Sequence, residues 1–256
     1  MYFVAIHHLP ADPANRAVEL AQILGITAYE ARPRLLVAGG GPAVVASFAE
    51  EPRATALAAT LEAAGFAAFV FNSEDLAAPP LTITVRKFTL GPDALSVDST
   101  GTALSIPYAE VALLLRGAGI TQSVTTEKTS QKRFDVGRAV LSGGLVMTKT
   151  TSKTLTHTSE ERRHFLLLHS STRPVLVFNE AELLYDGLGS ARQPTRQANF
   201  LILIGELRRR CPAARFDERL LKRAGQAQLL GPAFSPEDHL PLAAALLARS
   251  LIGTGS

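Results

Sequence analysis

The side chains with chemistry to offer in this sequence are six histidines, one cysteine, a triple glycine and a cluster of cations between residues 125 and 163. A metal site needs imidazole, thiolate or carboxylate groups converging on one point, and a helix supplies that through His-x-x-x-His or His-Glu-x-x-His spacing. Neither spacing occurs among His7, His8, His157, His164, His169 and His239. On a strand, residues five apart or adjacent face opposite sides, which separates His164 from His169 and His7 from His8. Cys211 follows Arg208-Arg209-Arg210. Guanidinium neighbours lower a thiol pKa and the end of a helix raises it. With no histidine placed beside it, Cys211 reads as a packed helix-end residue and not as a nucleophile. Gly39-Gly40-Gly41-Pro42 has the composition of a phosphate loop. Such a loop runs from a strand into a helix whose free N–H groups face the anion; this run leaves a helix and enters a strand, the position of a helix stop. Neither a Gly-x-Ser-x-Gly elbow nor a phosphate-loop lysine is present, and no carboxylate pair stands out. Asp93 and Asp98 stand at turns, where aspartate commonly falls. No catalytic residue, cofactor or metal ligand is therefore assigned.

The cations remain. Lys128, Lys132, Arg133, Arg138, Lys149, Lys153, Arg162 and Arg163 stand against Glu127, Asp135, Glu160 and Glu161, an excess of eight to four. Serine and threonine are dense between them, Phe134 is the sole phenylalanine, tyrosine or tryptophan, and Gly143-Gly144 marks a turn. Val140-Leu141 and Leu145-Val146-Met147 flank that turn, which gives the segment the pattern of a hairpin. One reading is a basic arm that meets phosphates, anionic lipid or an acidic protein. Single-stranded nucleic acid would usually add stacking aromatics. The other reading is an edge hairpin whose lysines keep it from pairing with other strands.

The elements that would carry these residues follow from periodicity. Residues 2–7 read as a strand, and Asn15–Leu24 as a helix with Ala17, Val18, Ala21 and Leu24 on one face. Thr27 and Glu30 form a capping box for a second helix that ends before the triple glycine. Residues 43–48 are a strand, Glu51–Ala64 an alanine-rich helix and 66–71 a strand, giving the order β-α-α-β-α-β. Residues 73–80, with Pro79-Pro80, form a polar boundary. Beyond it the period changes to two, and 83–88, 94–97, 103–108, 111–116, 164–169 and 174–179 read as half-buried antiparallel strands. A helix follows from Thr195 to Arg210, and Phe216–Leu230 and Pro236–Ile252 read as one or two amphipathic helices. The division is a βααβαβ module at 1–75, a domain at 82–215 with a long insertion at 117–161, and C-terminal helices at 216–252.

Composition agrees with a folded α+β chain. Apolar residues make up 46% and charged residues 19% of 256, and the net charge is +3. A single cysteine permits no internal disulfide, and neither a secretory leader nor an apolar run of spanning length is evident, so a cytoplasmic location is expected.

Two resemblances add to this reading. Gly25, Glu30, Ala31 and Arg32 at the start of the second helix, with Ala56, Leu57, Leu61, Glu62, Ala64 and Gly65 at the end of the third, resemble the C-terminal domain of the bacterial ribosomal stalk protein over residues 1–72. That family's first helix is lysine-rich and meets translation factors; here it offers Arg16, Glu19 and Gln22, so the fold is implied and the partner is not. Phe88, Leu90, Asp93 and Leu95, then Ile106-Pro107-Tyr108 and Val111, resemble bacterial pleckstrin-homology-like domains of uncharacterised proteins. Tyr185, Leu188-Gly189, Pro194 and Asn199-Phe200 complete the pattern. This second resemblance implies a small barrel or sandwich closed by a helix, and no activity. The expected function is non-enzymatic binding or scaffolding with a protein or small-ligand partner. An anion-binding module for nucleic acid or membrane lipid is the alternative, and an enzyme of unknown type the third.

Overall fold

The computed structural model describes residues 1–7, 12–37, 39–72, 82–99, 102–134 and 148–252. The expected boundary at 73–80 lies outside these residues. The fold is α+β. It divides into one compact unit, 1–119 with 163–256, and a second, 120–162.

The first strands and helices follow the expected order. Strand β1 (Tyr2–His7) lies between β2 (Ala43–Phe48) and β3 (Ala67–Asn72) and pairs antiparallel with both. Helices α1 (Pro13–Leu24), α2 (Ala28–Leu35) and α3 (Glu51–Ala63) complete the module. The capping box forms as its sequence requires. Thr27 Oγ1 accepts from the Glu30 N–H at 3.3 Å, and the Glu30 carboxylate accepts from the Thr27 N–H at 2.9 Å.

The middle of the chain makes two open sheets. Five strands lie in the order β11-β8-β9-β10-β4: β4 (Thr82–Val85), β8 (Val111–Phe134), β9 (Thr148–Ser170), β10 (Val175–Asn179) and β11 (Arg215–Leu220). A separate antiparallel sheet holds β5 (Lys87–Leu90), β6 (Ala94–Ser99) and β7 (Thr102–Pro107). Of the expected barrel or sandwich, the described strands close no barrel. The all-antiparallel expectation also needs correction, since β10 pairs parallel with β4, and β11 parallel with β8. The single strand expected at 83–88 breaks at Arg86, and its halves enter different sheets. Helix α4 (Arg196–Arg210) is capped by Thr195, whose hydroxyl accepts from the Ala198 N–H at 3.2 Å. Residues 216–220 were expected to be helical; they form β11, and the helix α5 spans only Arg223–Leu230. Helix α6 (Pro236–Ile252) ends the described chain.

The five-stranded sheet separates two cores. Leu113 and Leu115 of β8, with Phe165 and Leu167 of β9, face a core built from the βααβαβ module and from α5 and α6. Leu114, Leu166 and Leu168 face the other core, which contains β5–β7 residues such as Phe88 and Ile106 and the α4 residues Phe200 and Leu203. Successive side chains leave opposite faces of a strand. Leu113-Leu114-Leu115 and Leu166-Leu167-Leu168 therefore supply both cores at once, and the two strands are covered on both sides instead of half-buried. Gly117 sits where β8 meets the Phe165 ring; a Cβ there would stand 2.2 Å from Cζ of that ring.

Candidate functional site

Apart from Arg138, the cations singled out from the sequence lie on β8 and β9. These strands run for 24 and 23 residues, against an expectation of six each. Mean strands have about five or six residues, so the length itself calls for a reason. Threonine and valine favour the extended backbone, and the stretches 120–134 and 148–162 are rich in threonine. Among the described residues, pairing of β8 with β11 reaches Gly117 and pairing of β9 with β10 reaches Phe165. Past those points the two strands continue into the second unit, and β8 and β9 are neighbours in the sheet order.

Lys128, Lys132 and Arg133 stand on β8, and Lys149, Lys153, Arg162 and Arg163 on β9. Arg162 and Arg163 are exposed. Arg138 and the turn Gly143-Gly144 lie outside the described residues. Seven of the eight expected cations thus share one pair of neighbouring strands. Stretches 120–134 and 148–162 contain only Ile120, Val124, Phe134 and Leu155 as apolar residues, too few for a core of their own.

Cys211, two of the histidines and the triple glycine have the following surroundings. Burial pushes the Cys211 thiol up to about 11, with the smaller opposing pull of Arg210, so it stays protonated near neutral pH. Burial lowers His169 to about 4. His169 Nε2 and His164 Nδ1 are buried with no hydrogen-bond partner among the described residues. No group of three metal-capable side chains occurs among the described residues. Gly39, Gly40 and Gly41 have φ of 71°, 78° and 94°, the left-handed region that glycine tolerates. They turn the chain from α2 into β2, and the Gly41 carbonyl accepts a hydrogen bond from Arg219 Nη1. An arginine side chain therefore packs against this loop.

Three fastenings escaped the sequence reading. Arg219 Nη2 lies 2.8 Å from Asp217 Oδ2, with side chains only 11% and 14% exposed. Its signal was the i, i+2 spacing of Asp217 and Arg219, which a strand places on one face and the helix reading hid. Gln226 Nε2, fully inside, donates to the Ala118 and Leu220 carbonyls at 2.8 and 2.7 Å. Asn199 grips the loop before α4, accepting from the Gln193 N–H at 2.6 Å and donating to its carbonyl at 2.9 Å.

No protein-family model, curated protein or solved structure matches this chain. No helix among the described residues is long and apolar enough to cross a membrane.

Proposed function

We propose that this chain is a non-enzymatic binding or scaffolding protein whose contact element is the β8–β9 strand pair. The observation that supports this reading is the pair itself: two long neighbouring strands, rich in threonine and lysine, that continue past the pairings with β11 and β10. Strands so poor in apolar residues gain little from burying one another. A partner that pairs with their backbone or neutralises their cations would supply the missing stabilisation. The resemblances to the stalk-protein domain and to pleckstrin-homology-like domains fit a scaffold that presents such an element.

A second reading makes the partner an anion, nucleic acid or lipid, and it draws on the eight cations against four acids. The test is to replace residues 121–161 by a short glycine-serine turn joining β8 to β9. The compact unit should keep its melting temperature while partner capture, confirmed by direct titration of each captured protein, is lost. Retention of every partner by the shortened chain would refute the assignment of the contact to this element.

A further inference from the structure

We infer that the outer edge of β3 pairs with β3 of a second copy of this chain, the two strands running antiparallel about Val70. Among the described residues β1 alone pairs with β3, so β3 ends its sheet. That pairing runs without a register shift from Ala67 to Asn72, and Ala-Ala-Phe-Val-Phe-Asn carries neither charge nor proline. A flat, apolar edge is a template for another strand.

The other described edge strands each carry a guard. The register of β2 with β1 skips Val45, and Arg34 Nη1 donates to the Val45 carbonyl at 2.9 Å. Strands β4 and β5 have four residues each, with Arg86 between them. Strand β7 closes on Pro107, and β11 includes Arg215, Asp217, Glu218 and Arg219. Bulges, shortness, proline and charge are the devices that keep edges from pairing. Strand β3 has none of these.

Local symmetry selects a second copy as the occupant. A two-fold contact brings one patch against itself, so the patch must complement its own reverse. Phe69-Val70-Phe71 reads alike in both directions about Val70. A two-fold axis there sets Val70 opposite its own counterpart and Phe69 opposite the second copy's Phe71. Residues opposite one another on antiparallel strands share a face, and aromatic pairs across strands are stabilising. Phe71 is buried against Phe3, with ring centroids 5.4 Å apart, whereas Phe69 is half-buried and has surface left to cover. The opposing effect is Arg249, whose guanidinium lies 5.0 Å from the Phe69 ring centroid, since pairing draws two such cations together. Salt screens that repulsion over about 10 Å at 0.1 M, so the dimer should tighten as salt rises. The contact uses no residue of β8 or β9.

The experiment is sedimentation velocity of the full chain up to about 100 µM, at low and high salt, beside three variants. Phe69→Lys places a charge on the edge and should weaken the dimer at least about tenfold. Far-UV circular dichroism and melting temperature check that it remains folded. Val70→Cys puts a thiol on the two-fold axis, where opposite Cβ atoms are close enough for a disulfide. Oxidised glutathione should therefore link two chains of that variant. It should leave Ser47→Cys, exposed on the opposite edge strand β2, largely unlinked. The native Cys211 is buried and does not compete. A wild type that sediments as a monomer throughout overturns the inference. So does a dimer in which folded Phe69→Lys associates as tightly as the wild type, or in which Val70→Cys links no more than Ser47→Cys.

Discussion

Replacing Arg219 with alanine is expected to destabilise the compact unit more than any exposed substitution. Its guanidinium makes a close pair with Asp217 through Nη2 and Nε, each at 2.8 Å from Oδ2, and donates to the Gly41 carbonyl. Gly41 enters β2 of the first module, and Arg219 stands on β11 at the edge of the five-stranded sheet, so the bond ties the two together. Alanine would leave the Asp217 carboxylate, 14% exposed, with its Oδ1 bond from the Arg219 N–H at 2.9 Å but without its cation. Removing one partner of a buried pair costs about 3–5 kcal/mol, and the residual exposure argues for the lower end, about 3 kcal/mol. For a chain of this size that corresponds to a fall in melting temperature of roughly 6–12 °C. The double replacement Asp217→Leu with Arg219→Met removes both charges and fills the space with apolar groups. It should recover most of the loss, because such a swap is often neutral. Urea unfolding followed by circular dichroism measures all three proteins. A loss below about 1 kcal/mol for Arg219→Ala, or a double variant no better than the single, would refute the claim that this pair is a desolvated fastening.

Acid should weaken the fold through His169. Its folded pKa is lowered to about 4 by burial, below the ordinary value of 6.5. The neutral form is thus favoured in the folded state; its contribution is complete above pH 6.5 and is lost as pH falls toward 4. The full loss is about 3 kcal/mol, and His169→Gln should flatten the dependence of stability on pH across that window. Gly117→Ala should cost about 1–3 kcal/mol by driving a methyl group into the Phe165 ring, and Phe165→Leu should relieve part of it in a double-variant cycle. Asn199→Ala strands both polar groups of Gln193 and should cost about 1–3 kcal/mol in thermal unfolding. Cys211 should resist alkylation at neutral pH in the folded chain and react on unfolding, since its thiol is buried and pushed up to about 11.

Local rules determined much of the first 72 residues. Thr27 and Glu30 specify where α2 begins because both bonds of the capping box close within four residues. Thr195 does the same for α4. The cation cluster was equally visible, because charge and turn composition are properties of the string alone. Tertiary structure decided the rest. Whether Leu113-Leu114-Leu115 is half-buried or covered on both faces depends on what packs against the second face, and that surface comes from α5 and α6, more than a hundred residues away. Residues 215–220 become a strand because β8 offers its edge to Leu220 and Phe216; the short Arg-Phe-Asp-Glu-Arg-Leu segment fits helix or strand until that edge is present. The length of β8 and β9 is of the same kind, since polar threonine-rich sequence is compatible with loop or strand, and only the neighbouring strand supplies the hydrogen bonds that make it extended.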